Sequence, residues 1–360
     1  MSRTVPRLSR WLRTVMSVAL LSACGAPEDG SAPPGGVDVN LAVASQAQGA
    51  PEAVAVRVTF TNVSDGPVRL LKWYVPGTDG VKAELFEVSR DGAPVEYLGP
   101  HVKRRTPLPE DFITLAPGEH VSGLVPVSGL YDLSERGVYT VRFAAEATGA
   151  REVVLTRALQ LDSNTLSLWR EGGPGPRVPE SQAAGTVTAQ GLSYTGCSST
   201  RQTQLLVAWN GARTYVSNAA SHLAGLRAGS TRYTSWFGAW SAGRRDTARA
   251  HYASLSTALA TAPLTLDCTC TDPGTFAYVY PSSPYRIYLC GAFWSAPTQG
   301  TDSRAGTLVH ELSHFTVLAG TRDHAYGQSA ARALARTSVE RALDNADSHE
   351  YFAENTPVQD

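Results

Sequence analysis

Lysine is nearly absent. Only Lys72, Lys82 and Lys103 occur among 31 basic residues, so arginine carries the positive charge and the C-terminal half holds no lysine at all. Cysteine is missing between Cys24 and Cys197, which leaves the N-terminal half without a thiol for a disulfide or a metal. Charge of one sign is not in excess either. The formal net charge of −1 offers no broad footprint for nucleic acid or for an anionic membrane surface, and nucleic acid is set aside as a partner. Long hydrophobic runs are lacking too: Val15 to Leu21 is too short to span a bilayer.

That short run has a different meaning. Four arginines in "MSRTVPRLSRWLR" precede it, the layout of a bacterial export signal over residues 1–24. It ends in Leu21-Ser22-Ala23-Cys24, which resembles a lipobox and would leave Cys24 as a lipidated N-terminus and membrane anchor. A plain secretory signal is the alternative. Either way the chain is expected to leave the cytoplasm, for the cell envelope or the medium. Residues 25–36, "GAPEDGSAPPGG", are a tether too rich in Gly, Pro and acidic residues to bury a core.

With 360 residues two domains are expected. Over 37–162 the signals are those of strands. Val54, Val56, Val58 and Phe60 alternate, Ser64-Asp65-Gly66 and Arg90-Asp91-Gly92 supply turns, and apolar runs follow at 68–75, 95–98, 138–143 and 153–161. This spacing predicts an antiparallel β-sandwich of immunoglobulin-like type. A linker is expected over 163–192, with Gly, Pro and small polar residues concentrated in Arg170 to Gly191. The rest, 193–360, reads as α+β: helical segments near 202–226 and 246–262, strand-like pieces near 264–270, 276–280 and 286–289, then three closing helices. Cys197, Cys268, Cys270 and Cys290, in an oxidising compartment, predict two disulfides. Three pairings are open, and Cys268-Thr269-Cys270 is too tightly spaced for a usual thiolate zinc site.

The chemistry is concentrated in "GTLVHELSHFTVLAGTRDHAYG", Gly306 to Gly327. On a helix, positions i and i+4 share a face, so His310 and His314 can present two imidazoles to one cation while Glu311 lies beside them toward a bound water. A helix stop is expected at Ala319-Gly320. Gly320 stands where a third His ligand would fall in one class of such sites. The third ligand must come from later in the chain: Glu340, in "TSVERALDNADS", or Asp323, just past the turn.

The sequence Gly320-Thr321-x-Asp323-x-x-Tyr326-Gly327 behind His-Glu-x-x-His, with "NADSHEYFAENTP" near the end, resembles the aspzincins, the deuterolysin group of zinc endopeptidases. The likeness covers about Ser193 to Asp360. It implies a zincin-like catalytic domain with one Zn²⁺ held by His310, His314 and Asp323, and a fourth position for a water acidified by the metal. Glu311 is then the general base and later acid. Tyr326 becomes a phenolic donor to the developing oxyanion, an interaction worth about 3 to 4 kcal/mol where such donors have been removed. His324 is left as a supporting or surface residue.

A branch of that family, the peptidyl-Lys metalloendopeptidases, cuts before lysine and holds the ammonium on an acidic pair. Asp347 and Glu350, at i and i+3, are similar to that pair. A solvated acidic face, or a helix N-cap at Asp347, is the plain alternative. The branch also implies the pairs Cys197 with Cys268 and Cys270 with Cys290, the second closing a loop worth up to about 3 kcal/mol. The aromatics of "RYTSWFGAWS", Arg232 to Ser241, are assigned either to the cleft wall or to the core.

The expected protein is therefore a secreted or tethered zinc endopeptidase acting on proteins before lysine. Its N-terminal domain is read as a propeptide that cannot block the metal with a thiol, with a permanent spacer or binding module as the alternative. A protease of broader preference and a non-catalytic zinc-containing surface lipoprotein are the alternatives. The linker contains Arg170 and Arg177 but no Lys, so a separate activating protease is expected there. Self-cleavage is expected at Val102-Lys103, in "HVKRRTPLP", taken as an exposed loop.

Overall fold

Period-two burial builds the N-terminal half. In the computed structural model, which describes residues 36–44, 54–76, 83–146, 160–173, 175 and 191–360, Val56, Val58 and Phe60 are fully buried on one face of β2. The expectations for the signal, Cys24, nearly all of the tether and most of the linker lie outside the described residues. The strands of this half are β1 (Val37–Val43), β2 (Ala55–Asn62), β3 (Val68–Leu71), β4 (Phe86–Arg90), β5 (Ala93–Pro94), β6 (His101–Arg104), β7 (Phe112–Leu115), β8 (His120–Pro126), β9 (Gly137–Glu146) and β10 (Gln160–Arg170).

Seven of them form one sheet in the order β5-β4-β9-β10-β1-β2-β8, and β3 with β7 makes a small second sheet. The layers share a core in which Leu70 and Leu115 join Val58, Phe60, Val141 and Phe143. The β4–β5 turn uses Asp91 and Gly92, both at positive φ (49° and 85°), the left-handed pair that a tight hairpin requires. Two expectations need correction. The large sheet is not wholly antiparallel, because β1 and β10 run parallel. The strand signal does not stop at residue 162: β10 stays paired with β9 as far as Arg170 opposite Gly137.

The second half adds β11 (Leu192–Thr195), β12 (Leu264–Asp267), β13 (Thr275–Val279) and β14 (Arg286–Leu289). Its helices are α1 (Ser199–Gly225), α2 (Thr231–Phe237), α3 (Ala242–Thr261), α4 (Gly291–Ser295), α5 (Arg304–His314), α6 (Gln328–Thr337), α7 (Val339–Leu343) and α8 (Ala346–Glu354). Ser198, Ser230, Ser241 and Ser303 cap α1, α2, α3 and α5, each accepting a backbone N–H of the first turn. Tyr233, Trp236 and Phe237 are buried in the main core, with Trp236 against Tyr351 of α8. The aromatics of "RYTSWFGAWS" thus back the α8 helix, and the cleft-wall assignment is overturned. Cys197–Cys268 and Cys270–Cys290 are the disulfides.

The sheet of this half is ordered β11-β12-β14-β13-β6. Its last strand therefore comes from the N-terminal half, and the described residues of both halves form one compact unit. β6 lies antiparallel to β13, with His101, Val102 and Lys103 opposite Val279, Tyr278 and Ala277. This corrects the reading of "HVKRRTPLP" as an exposed loop: Val102 and Lys103 are 3% and 1% exposed. The neighbouring run 95–98 is not a strand, though Tyr97 bridges Tyr131.

Candidate active site

Helix α5 carries His310, Glu311 and His314, and from Ala305 to its end every residue is buried. Its apolar face, Leu308, Val309 and Leu312, enters the main core. The helix ends at His314, five residues short of the expected stop. Phe315 takes extended backbone and drives its ring into the core beside Tyr285. Gly320, at φ 61°, then turns the chain back, and Thr321 N donates to Ser313 O at 3.0 Å. This return brings Asp323 under the helix.

His310 Nε2 and His314 Nε2 lie 3.2 and 3.4 Å from Asp323 Oδ1. All three atoms are buried without a geometrically sound hydrogen bond, as are both carboxylate oxygens of Glu311. Orphaned buried polar atoms cost free energy unless something unites them. Two imidazoles and one carboxylate converging on a point, with a second carboxylate alongside, fit zinc in an open three-ligand site. The far nitrogens support the same reading. His314 Nδ1 is 2.7 Å from Thr321 O, which holds that ring with Nε2 toward the cluster, and His310 Nδ1 approaches Asp347 Oδ1 at 2.8 Å. Burial pushes the Glu311 carboxyl up to about 8, and a nearby cation would draw it back toward the ionised form.

Glu340, the alternative third ligand, is elsewhere: it is exposed and receives Arg244 Nη1 at 3.0 Å. His324 stands off the cluster with Nε2 2.8 Å from Asp344 Oδ2. Tyr326 has its hydroxyl 3.1 Å from the carbonyl oxygen of Val102, to which it donates.

Asp347 and Glu350 share one face at the start of α8 and are fully buried. The N-cap is Asn345, so Asp347 is not the cap. Its Oδ2 instead accepts from Gly327 N at 2.6 Å. Between the two carboxylates lies Lys103 Nζ, 2.5 Å from Glu350 Oε2 and 3.3 Å from Asp347 Oδ1. A third carboxylate, Asp302, approaches the ammonium at 3.6 Å and is held by the Tyr351 hydroxyl at 2.6 Å. Burial alone would push the Lys103 pKa down, yet the three carboxylates raise it well above the ordinary lysine value. For Asp347, burial pushes upward, but Lys103 and His310 outweigh it and hold the carboxyl low. At Gly306 a Cβ would collide with the Glu350 and Glu354 carboxylates, so glycine lets α5 and α8 close on this pocket.

His101, two residues before Lys103, faces the cluster from the N-terminal side. Its ring centroid is 4.8 Å from that of His314, and His101, His314 and Asp323 can each offer one ligand atom within 4.8 Å of the others. Burial, reinforced by His314, pulls its pKa down to about 3, so the ring is neutral. Sequence reasoning missed His101 and Asp302, which no local pattern marks. The scarcity of lysine was the available signal for Lys103.

Fold and site together define a metal-dependent peptidase, and comparison with known proteins gives the family. The model of the aspzincin family, lysine-specific metallo-endopeptidases, matches residues 222–354. An extracellular protease of Aeromonas hydrophila is 44% identical over 330 residues, covering 90% of this chain and 93% of that protein. A peptidyl-Lys metalloendopeptidase of Grifola frondosa is 35% identical over 347 residues, covering 89% and 97%. A solved zinc peptidase from Grifola frondosa is 51% identical over 46% of this chain and 100% of its own, with a TM-score of 0.45. The chain belongs to the aspzincin family and is a zinc metalloendopeptidase. The reading as a non-catalytic surface lipoprotein falls with that assignment.

Proposed function

We propose that this chain is the exported, latent precursor of an endopeptidase that cuts proteins on the N-terminal side of lysine. The observation that carries the reading is the seat of Lys103: its ammonium lies on Glu350 and Asp347 while the carbonyl of the preceding residue, Val102, accepts from Tyr326. The strand holding both lies antiparallel to β13, as an extended peptide adds to an exposed sheet edge. A protein substrate bound the same way would present the bond before its lysine to Glu311.

His310, His314 and Asp323 would hold the zinc, which when bound would supply Lewis acidity for a carbonyl and an attacking water. Glu311 takes the proton of the attacking water and returns it to the leaving amine. Tyr326 donates to the scissile oxygen as negative charge gathers there. Asp347 and Glu350 fix the lysine of the substrate and so set which bond is presented. A lysine ammonium is a compact charge on a flexible stem, and a planar guanidinium does not fit the same narrow seat.

In this reading β6 and the domain around it are a propeptide, and a separate protease opens the linker, which offers it Arg170 and Arg177. Export is supported by the N-terminal signal and by the extracellular relative. Lipidation of Cys24 belongs to the same proposal and predicts an acylated N-terminal cysteine on the precursor. The function is tested by digesting a denatured protein with the activated enzyme, with and without a chelator, and reading the fragments by mass spectrometry. New N-termini should be lysine and should vanish with the chelator. Chelator-sensitive cleavage without lysine preference would leave a protease of broader, deuterolysin-like specificity and overturn the lysine reading.

A further inference from the structure

A lysine-directed protease that holds its own lysine in the specificity pocket faces a difficulty: the bond before Lys103 is presented to the site. Residues i and i+2 of a strand project from the same face. In β6 that face carries His101 and Lys103 toward the catalytic half, while Val102 points the other way and gives only its carbonyl to Tyr326. Lys103 is long and reaches the acidic pocket. His101 is shorter and ends beside His314 and Asp323, with ligand atoms of the three mutually within 4.8 Å. The His101 ring also packs on Tyr97 at 5.6 Å between centroids, so the N-terminal half helps to hold it in place.

We infer that His101 is the fourth ligand of the metal in the precursor. The inference rests on the latent-precursor reading and adds to it. With three protein ligands the site keeps an open position for water. An imidazole from β6 closes that position and makes the set His₃Asp, four-coordinate and without a nucleophile. The Val102–Lys103 bond then sits in the pocket uncut, and the N-terminal domain acts as a stable cover rather than a substrate. A neutral imidazole does here what a thiolate would do, in a half-chain that has no cysteine beyond Cys24.

The test uses the full precursor carrying Glu311→Gln, loaded with cobalt(II), whose visible absorption reports coordination. With His101 present, azide should leave the spectrum unchanged because no position is open. With His101→Ala in the same background, azide should shift it, and a chelator should remove cobalt at least tenfold faster. A His101→Gln variant, closer in size, guards against a folding defect and should behave like the alanine variant. In parallel, acylation of lysine amines, read by mass spectrometry, reports whether Lys103 is seated. Protection of Lys103 with an azide-sensitive spectrum in the His101 protein overturns the ligand inference while the latent reading stands. A freely acylated Lys103 overturns both. A second readout uses an otherwise native Glu311 chain: the His101→Ala precursor should acquire a zinc-dependent nick at Val102–Lys103, found by N-terminal sequencing, and the parent should not.

Discussion

His310 Nδ1 lies 2.8 Å from Asp347 Oδ1, and the same oxygen is 3.3 Å from Lys103 Nζ. The carboxylate beside the His310 imidazole is thus also half of the seat of the Lys103 ammonium. One oxygen serves both contacts. In the proposed reading, a substrate lysine entering that seat touches the group beside His310, so binding at one site is felt at the other.

Asp347→Asn should therefore damage two properties at once. Losing the oriented carboxylate behind a ligating histidine costs about 10–100-fold in metal affinity, and lysine peptides lose one of their two buried anionic partners. Glu350→Gln should raise KM for lysine peptides with a much smaller effect on zinc, because Glu350 Oε2 stands farther from His310, at 3.3 Å. Competition titration of zinc and steady-state kinetics on the same two variants check this. Equal zinc affinity in both would show that Asp347 does not support the metal.

Glu311→Gln should bind a full equivalent of zinc and lose about 10²–10⁴ in kcat. The amide keeps the shape of the side chain but cannot accept the water's proton. Metal analysis alongside peptide turnover decides between a base and a structural residue: loss of zinc, or near-normal turnover, would count against the role.

The spacing of His310, Glu311, His314 and Asp323 was readable because a helix and a short return loop are local geometry. Strand signals in the first half were equally local, and β2 and β9 lie close to where alternation puts them. What could not be read is non-local. Nothing in "HVKRRTPLP" says that it will leave its own sheets and become the edge strand of another, since that depends on β13 offering an unpaired edge more than 170 residues later. The charges of Lys103, Arg104 and Arg105 favoured a surface loop, and two buried carboxylates from α8 reversed that preference for Lys103. The end of α5 was missed for a related reason: the core contact of Phe315 overrode a helical pattern that continued on paper.

Asp323→Ala should lower zinc content and activity together, whereas Glu340→Ala should leave both near normal. Glu340 is exposed and pairs with Arg244, an interaction worth at most about 1 kcal/mol. Zinc stoichiometry after dialysis separates the two. Retention of zinc in the Asp323 variant, with loss in the Glu340 variant, would move the third ligand to α7.

Tyr326→Phe in the activated enzyme should lower kcat by about 10²–10³ and change KM little, because the hydroxyl's bond to the scissile oxygen strengthens only as charge develops. The ring, packed edge-on against Trp73 at 6.3 Å, keeps its volume in the variant. A rise in KM at constant kcat would reassign Tyr326 to ground-state binding.

Latency should depend on Lys103. Its ammonium is buried between Glu350 and Asp347, and removing one partner of a buried ion pair costs about 3–5 kcal/mol because the remaining charges are left without compensation. Lys103→Met keeps the length and apolar stem of the side chain and discards only the charge. That cost falls on the docked strand, not on the undocked one, where Asp347 and Glu350 regain water. The docking equilibrium should shift by about 10²–10⁴ toward the open form, and the uncleaved chain should begin to hydrolyse a small fluorogenic lysine peptide. Lys103→Arg keeps the charge but must fit a planar fork where an ammonium sat, so its precursor should leak as well, to a smaller extent. The same rank, Lys above Arg above Met, should hold for the residue after the scissile bond in peptides cut by the activated enzyme. An uncleaved Lys103→Met precursor as silent as the parent would mean that the pocket contact does not hold the cover in place.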